Sequence, residues 1–240
     1  MVIEFLKWDS EFFGIKVGKL TIYDDMDFDP FLFKQQSNDE KFKLVYVFKF
    51  QKMLPWDKVL KADLHFVDIQ LTMSKKFEKA DYMNIPYDFR TELTDKERNE
   101  CYKIAEDTSM VSRFYNENKI GKEKTKKMYH KWIDNSINKS FSDGLFLVKE
   151  LNSVSGIHLI KTDNQNKIGY FTLTGVDPNY KRMGIGKNLW IQSFSYWANN
   201  SKIEIVRSPF SFQNSESFNF HLKMGFTKVE ETKFIYHFRI

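Results

Sequence analysis

Residues 176–187, Val-Asp-Pro-Asn-Tyr-Lys-Arg-Met-Gly-Ile-Gly-Lys, constrain this chain more than any other stretch. An apolar, β-rich run from Ile168 to Gly175 precedes them, and an amphipathic helix from Asn188 to about Ala198 follows. A strand, a glycine-bearing turn and a helix N-terminus together make a seat for an anion. The first N–H groups of a helix lack intrahelical acceptors, and the helix dipole adds positive potential there. Gly184 and Gly186 carry no side chain, so an anion can come close to the backbone. Lys181, Arg182 and Lys187 supply mobile positive charge, and Met183 and Ile185 complete the turn. The pattern predicts a site for a pyrophosphate-bearing ligand.

Two other phosphate turns fail here. A dinucleotide fingerprint needs a third glycine where Leu189 stands. A P-loop needs four residues between its glycines and Ser or Thr after the lysine, whereas one residue separates Gly184 from Gly186 and Asn188 follows Lys187. What remains is the whole set of strand, Val-Asp-Pro, aromatic, basic pair, Gly-x-Gly and basic helix start. That set resembles motif A of the GNAT superfamily, the Gcn5-related N-acetyltransferases, whose signature is Gln/Arg-x-x-Gly-x-Gly/Ala after the fourth core strand. Lys181 replaces the usual Gln or Arg, which keeps a cation and loses a planar fork. Downstream, residues 214–226 (Asn-Ser-Glu-Ser-Phe-Asn-Phe-His-Leu-Lys-Met-Gly-Phe) resemble the family's second helix-and-turn motif, in the right order and at the right distance.

The resemblance implies an α+β protein with the GNAT fold: a central mixed, mostly antiparallel sheet flanked by helices. At 240 residues the chain is long for one such core, so a smaller N-terminal α/β domain is expected, with residues 1–84 forming it and 85–240 the acetyltransferase domain. Abundant aromatics (24 Phe, 11 Tyr, 5 Trp) with few Gly and Pro predict a well-packed globular chain. The lone Cys101 excludes a disulfide framework. The N-terminus is no signal peptide and no apolar run reaches membrane-spanning length, so a cytoplasmic location and no membrane partner are expected. A net charge of +5, scattered except at 122–127, is too weak a basic stripe for nucleic acid. Five dispersed histidines without metal-ligand spacing give no metal site.

Along the chain, residues 3–8 read as a strand, 9–14 as a turn, and 15–22 as a half-buried strand. Strands follow at 43–50 and 65–74, with a short helix at 55–62 and a polar connection at 75–84. The second part reads as a strand at 86–93 and a helix to about Asp107 opened by the Thr94-x-x-Glu97 capping box. A helix at 122–138, strands at 144–150, 155–162 and 168–176, and the helix at 186–199 come next. A strand at 203–207, a helix at 215–224, and strands at 226–231 and 234–240 complete it.

Acyl transfer from a thioester to an amine needs a neutral amine, a stabilised oxyanion and a protonated leaving thiolate. By the resemblance, acetyl-CoA is the co-substrate, held by Lys181 to Lys187 and Asn214, and a backbone amide near Gly175 and Val176 meets the thioester carbonyl. Asn214 reads equally as a helix N-cap. The family's thiolate proton donor is a Tyr where this chain has His221. An imidazole with a pKa near about 6.5 can protonate a thiolate when charged, or relay a proton when neutral. His221 also reads as a packing residue. No Glu stands on the 168–174 strand, so the amine side is left to a water chain on Tyr170, Thr172 and Thr174, or to His158.

The segment Trp-Asp-Ser-Glu-Phe-Phe-Gly at 8–14 resembles the opening of TDP-fucosamine acetyltransferase and related dTDP-4-amino-4,6-dideoxyhexose acyltransferases, and Ser112-Arg113-Phe114 resembles a second element of that group. This implies a small nucleotide-sugar acceptor touched by Arg113, Thr172 and Thr174, in cell-surface polysaccharide synthesis, with at most a second copy of the chain as protein partner. Arg113 reads equally as an ion-pair partner. Two other readings stand beside it: acetylation of a protein N-terminus, lysine or small amine, and a non-catalytic acyl-CoA-binding module.

Overall fold

The computed structural model describes residues 1–240. In chain order the elements are β1 (Glu4–Phe5), α1 (Lys7–Phe13), β2 (Val17–Ile22), α2 (Pro30–Asp39), β3 (Leu44–Phe50), α3 (Trp56–Lys61) and β4 (His65–Lys76). There follow β5 (Phe89–Arg90), α4 (Asp95–Ser109), α5 (Lys122–Ile137), β6 (Gly144–Glu150), β7 (Ser153–Asp163), β8 (Ile168–Val176), α6 (Ile185–Asn200), β9 (Ile205–Ser211), α7 (Ser215–Lys223) and β10 (Lys228–Arg239).

All ten strands join one mixed sheet in the order β1-β2-β3-β10-β4-β9-β8-β7-β6-β5. Only β2/β3 and β8/β9 pair in parallel. The parts before and after residue 84 are therefore interleaved: β4, from the first, lies between β9 and β10, from the second. It pairs with β10 from Lys228↔Ser74 to His237↔His65, and with β9 from Gln70↔Ser211 to Lys76↔Ile205.

Strand alternation sorts the core onto two faces. One face carries Tyr46, Leu145, Leu147, Ile157, Leu159 and Leu173, covered by Phe13 of α1, Cys101 and Ile104 of α4, and Met128 and Ile133 of α5. The opposite face carries Phe146, Ile160 and Phe171 beneath Leu189, Trp190, Phe194 and Trp197 of α6. Val45, Val47, Tyr236 and Phe238 lie beneath Phe33 of α2 and Val59 of α3. No helix is long and apolar enough to cross a membrane.

The capping box forms as the sequence implies: Thr94 Oγ1 accepts from Glu97 N, and Thr94 N donates to Glu97 Oε2 at 2.8 Å. Elsewhere local pattern misleads. Residues 7–13 are helical, not strand and turn, because Gly14 closes the segment in the left-handed region and Trp8 stacks on Phe12 one turn on. The strand expected at 86–93 shrinks to Phe89–Arg90 at the sheet edge. Two expected C-terminal strands are one, β10, carried through by two register shifts against β4. Helix α2 was not anticipated, although Asp29 caps it by accepting from the amides of Phe31 and Leu32, and Pro30 opens it.

Gly169 shows how closely α6 sits on the sheet, since a Cβ there would lie 2.6 Å from the buried Trp197 ring. We expect Gly169→Ala to destabilise the protein by about 1–3 kcal/mol. Urea unfolding at pH 7 measures this, and an unchanged midpoint would show that α6 can shift outward without penalty.

Candidate active site

Parallel pairing between β8 and β9 covers only Ile168↔Ile205, Gly169↔Val206 and Tyr170↔Arg207. Beyond Tyr170 the strands part, while β8 stays paired with β7 as far as Val176 and β9 stays paired with β4 as far as Ser211. The facing edges of residues 171–176 and 208–211 thus border a cleft inside the sheet, with backbone groups that no strand satisfies. Such an edge needs water or an extended polar ligand as its partner. Thr172 is the extra residue of a bulge in β8, because Phe171 and Leu173 oppose consecutive residues, Ile160 and Leu159.

The bulge switches the side chains that follow it to new faces. Phe171 packs on Trp190 and Trp197 of α6, and Thr174 Oγ1 accepts from Trp190 Nε1 and lies 2.8 Å from His158 Nδ1. Leu173 and Gly175 face α4 instead; a Cβ on Gly175 would sit 2.7 Å from Ile104 and Thr108. Thr172 Oγ1 donates to the Leu159 carbonyl. The hydroxyl of Thr174 is thus spent beneath α6, and only Thr172 stays at the point where the strands part.

At the open end of the cleft, Gly184 (φ +83°) precedes the first residue of α6, and Arg182 (φ +64°) shares that left-handed backbone. The amides of Arg182, Gly184, Ile185, Gly186 and Lys187 meet no acceptor in the protein; the first helical bond runs from Asn188 N to Gly184 O. Lys181, Arg182, Met183 and Lys187 are exposed, and none of the three cations makes an ion pair. Unpartnered amides, a helix N-terminus and free cations suit a polyphosphate.

Asn214 caps α7, its Oδ1 accepting from Ser217 N at 2.9 Å. About two turns on, His221 is only 3% exposed, stacked on Phe210 and edge-on to Trp190. Its Nδ1 lies 2.7 Å from the Ser217 carbonyl and its Nε2 2.7 Å from Ser208 Oγ. The carbonyl can only accept, so Nδ1 carries the proton and Nε2 accepts from Ser208. Burial lowers the pKa of His221 to about 4, which removes the charged form on which a general-acid role was argued. Any proton His221 exchanges with the cleft passes through Ser208, a residue that no sequence motif marked. His158 is buried under α6 and lowered by that burial to about 3, so it offers no base to the cleft.

Across the sheet, on the α4 face, two distant sequence segments meet. Arg113 lies with its guanidinium carbon 4.1 Å from the Phe114 ring centroid, 5.2 Å from Tyr46 and 5.5 Å from Phe48. It makes neither a hydrogen bond nor an ion pair, its Nε is buried without a partner, and the buried Tyr46 hydroxyl is unpartnered too. Asp9 of α1 stands close enough that Arg113 opposes the upward push of burial on its carboxyl. Beside them Glu117 takes His237 Nδ1 at 2.6 Å and Arg239 at 3.0 Å. Burial alone would raise Glu117, but these bonds outweigh it and bring its pKa to about 2. Glu117 is therefore a structural anion, whereas the guanidinium of Arg113 is held by aromatic faces with its donors unused.

Residues 97–226, more than half of the chain, match the Acetyltransferase (GNAT) family. No curated protein matches the chain. Among solved structures it is similar to a functionally unknown conserved protein from Staphylococcus epidermidis ATCC 12228, with 11% identity, 94% of this chain and 84% of that one covered, and a TM-score of 0.62. It is also similar to a GCN5-related N-acetyltransferase from Kribbella flavida, with 8% identity, 92% and 80% covered, and a TM-score of 0.54. At such identities the likeness speaks for the fold alone.

Two neutral, buried histidines make stability pH-dependent. Their folded pKa values, about 4 and about 3, lie below the unfolded value near about 6.5, so below that pH the unfolded chain binds more protons and stability falls. Each adds a slope of about 1.4 kcal/mol per pH unit between roughly pH 6 and pH 4. Urea midpoints taken from pH 7 to pH 5 should fall, and more shallowly in His221→Gln; equal slopes would mean His221 stays accessible to protons in the folded state.

Proposed function

The chain belongs to the GNAT acetyltransferase family, and we propose that it transfers an acetyl group from acetyl-CoA to the amino group of a nucleotide-linked 4-amino-4,6-dideoxy sugar. Membership makes it an acyl-CoA-dependent N-acyltransferase. In this reading the amides of Arg182 to Lys187 take the pyrophosphate of CoA, with Lys181, Arg182 and Lys187 around it. The open edge of β8 takes the amide-bearing pantetheine arm as a strand would, and a free amide on the same edge, near Gly175 and Val176, faces the thioester oxygen. Ser208, held by His221, supplies a hydroxyl on the β9 side of the cleft.

One observation supports the acceptor. The segments at 8–14 and 112–114, which resemble those of dTDP-amino-sugar acyltransferases, come together around Arg113 on the face opposite α6. A buried guanidinium that makes no hydrogen bond or ion pair within the protein suits a phosphate or carboxylate on the substrate. The sugar's diphosphate is such a group.

Two experiments follow. Gly186→Asp sets a carboxylate among the free amides at a position where helix polarity favours it and where a Cβ lies 3.5 Å from the nearest atom, Phe220. Thermal stability should hold while the Kd for CoA, by calorimetry, rises by roughly tenfold or more; an unchanged Kd removes this turn from the CoA site. Acetyl-CoA turnover with a panel of dTDP-4-amino-4,6-dideoxyhexoses, set against lysine peptides and polyamines, tests the acceptor. Activity confined to peptides or polyamines would overturn the sugar-nucleotide reading.

A further inference from the structure

Amine acetylation needs a group that receives the amine and takes its proton, and β8 carries none. Among carboxylates on the α4 face, Glu117 is locked by His237 and Arg239, and Asp9 of α1 lies next to Tyr46 within reach of Arg113. Asp68 is different. It lies on β4, the strand next to β9, and its Oδ1 accepts from Ser211 Oγ across the β4/β9 pair at 2.6 Å. No other side chain donates to it, no cation lies within ion-pair distance, and it is 8% exposed. Ser211 stands on the face opposite Ser208 and Phe210, which belong to the His221 side of the cleft.

We infer that Asp68 is the residue that binds the acceptor's ammonium and removes its first proton, with Ser211 aiming the carboxylate and Arg113 holding an anionic group of the same acceptor. The assignment rests on the family's acyl transfer and not on any particular sugar. A buried carboxylate without an ion-pair partner is costly unless a substrate supplies a cation. Arg113 lies within Coulombic reach of Asp9 and Asp68 but forms an ion pair with neither, so an acceptor bearing both an ammonium and an anionic group would complement Asp68 and Arg113 together. The substrate class is a primary amine that also carries a phosphate or carboxylate.

The step balances as follows. One N–H proton of the ammonium passes to the free oxygen of Asp68 and from there to solvent. The nitrogen lone pair then forms the C–N bond at the thioester carbonyl carbon, and the C–S bond breaks with its electron pair on sulfur. The second N–H proton ends on the thiolate. Burial raises the Asp68 carboxyl above its ordinary value, while bonds from Ser211 and the Ile69 amide and the charge of Arg113 oppose that rise. The other polar groups on this face are accounted for: Lys233 of β10 on Gln70 and Glu231, His237 with Glu117 and Arg239, Arg207 of β9 near Glu230, and Tyr46 and Tyr129 around Arg113.

The test uses the full chain and whichever amine of the panel it acetylates, so a failed sugar reading leaves this one testable. Asp68→Asn should lower kcat/KM for the amine by roughly 100-fold or more and abolish the acid limb of its pH profile. The Kd for CoA by calorimetry should stay unchanged. Asp68→Glu should restore part of the rate. Without acetyl-CoA, Asp68→Asn should weaken binding of the amine but not of its N-acetylated product, which has no charge to lose. Should Asp68→Asn fail to fold, Ser211→Ala decides, because losing a donor to the carboxylate raises its pKa and must move the acid limb to higher pH. An unchanged acid limb in either variant, or equal weakening of amine and product, overturns the assignment.

Discussion

Pairing between β8 and β9 ends at Tyr170 and Arg207, and the molecule is arranged around that interruption. Parallel strands in mid-sheet would ordinarily continue their ladder, since unpaired backbone groups away from water are costly. Here each strand is held from its other side. β7 keeps β8 in register to Val176, and β4 keeps β9 in register to Ser211. Packing fixes the angle between them. Helix α6 lies against Gly156 and Gly169, and α4 presses on Gly175, positions where a methyl group would clash. The cleft is therefore built into the packing, and its facing edges stay unpaired.

The sheet also separates two kinds of chemistry. On the α6 and α7 side stand an anion-seeking helix end, the aromatic packing of Phe171 and Trp190, and a neutral His221 tied through Ser208. On the α4 side stand Arg113, Asp9, Asp68 and the Glu117–His237–Arg239 cluster. The parting of β8 and β9 lies between these two faces. The insertion of β4 places a strand from the first part of the chain between β9 and β10 of the second.

Much was legible from local rules. The Gly-x-Gly turn, the capping box at Thr94 and the 3.6-residue periodicities act within a few residues of themselves, and the structure has those elements where the pattern puts them. Misreadings came where two local rules competed. Trp8 and Phe12 suit a strand by type, yet they are four residues apart, stack on a helix and are stopped by Gly14. For His221 the residue type was visible and the environment was not: Phe210 of β9, Trp190 of α6 and Phe226 in the turn after α7 close around the ring and remove its charge.

By itself, then, the chain's sequence determined the family, the fold class and the anion seat, because each depends on residues adjacent along the chain. It could not say that β4 enters between β9 and β10, that Ser208 meets His221, or that Asp68 meets Ser211 beneath Arg113. Those are matters of strand register and sheet face, set by pairings between residues as far apart as His65 and His237. A shift of one residue in β4 would turn Asp68 to the other face and leave its sequence unchanged. Only the packed sheet decides that.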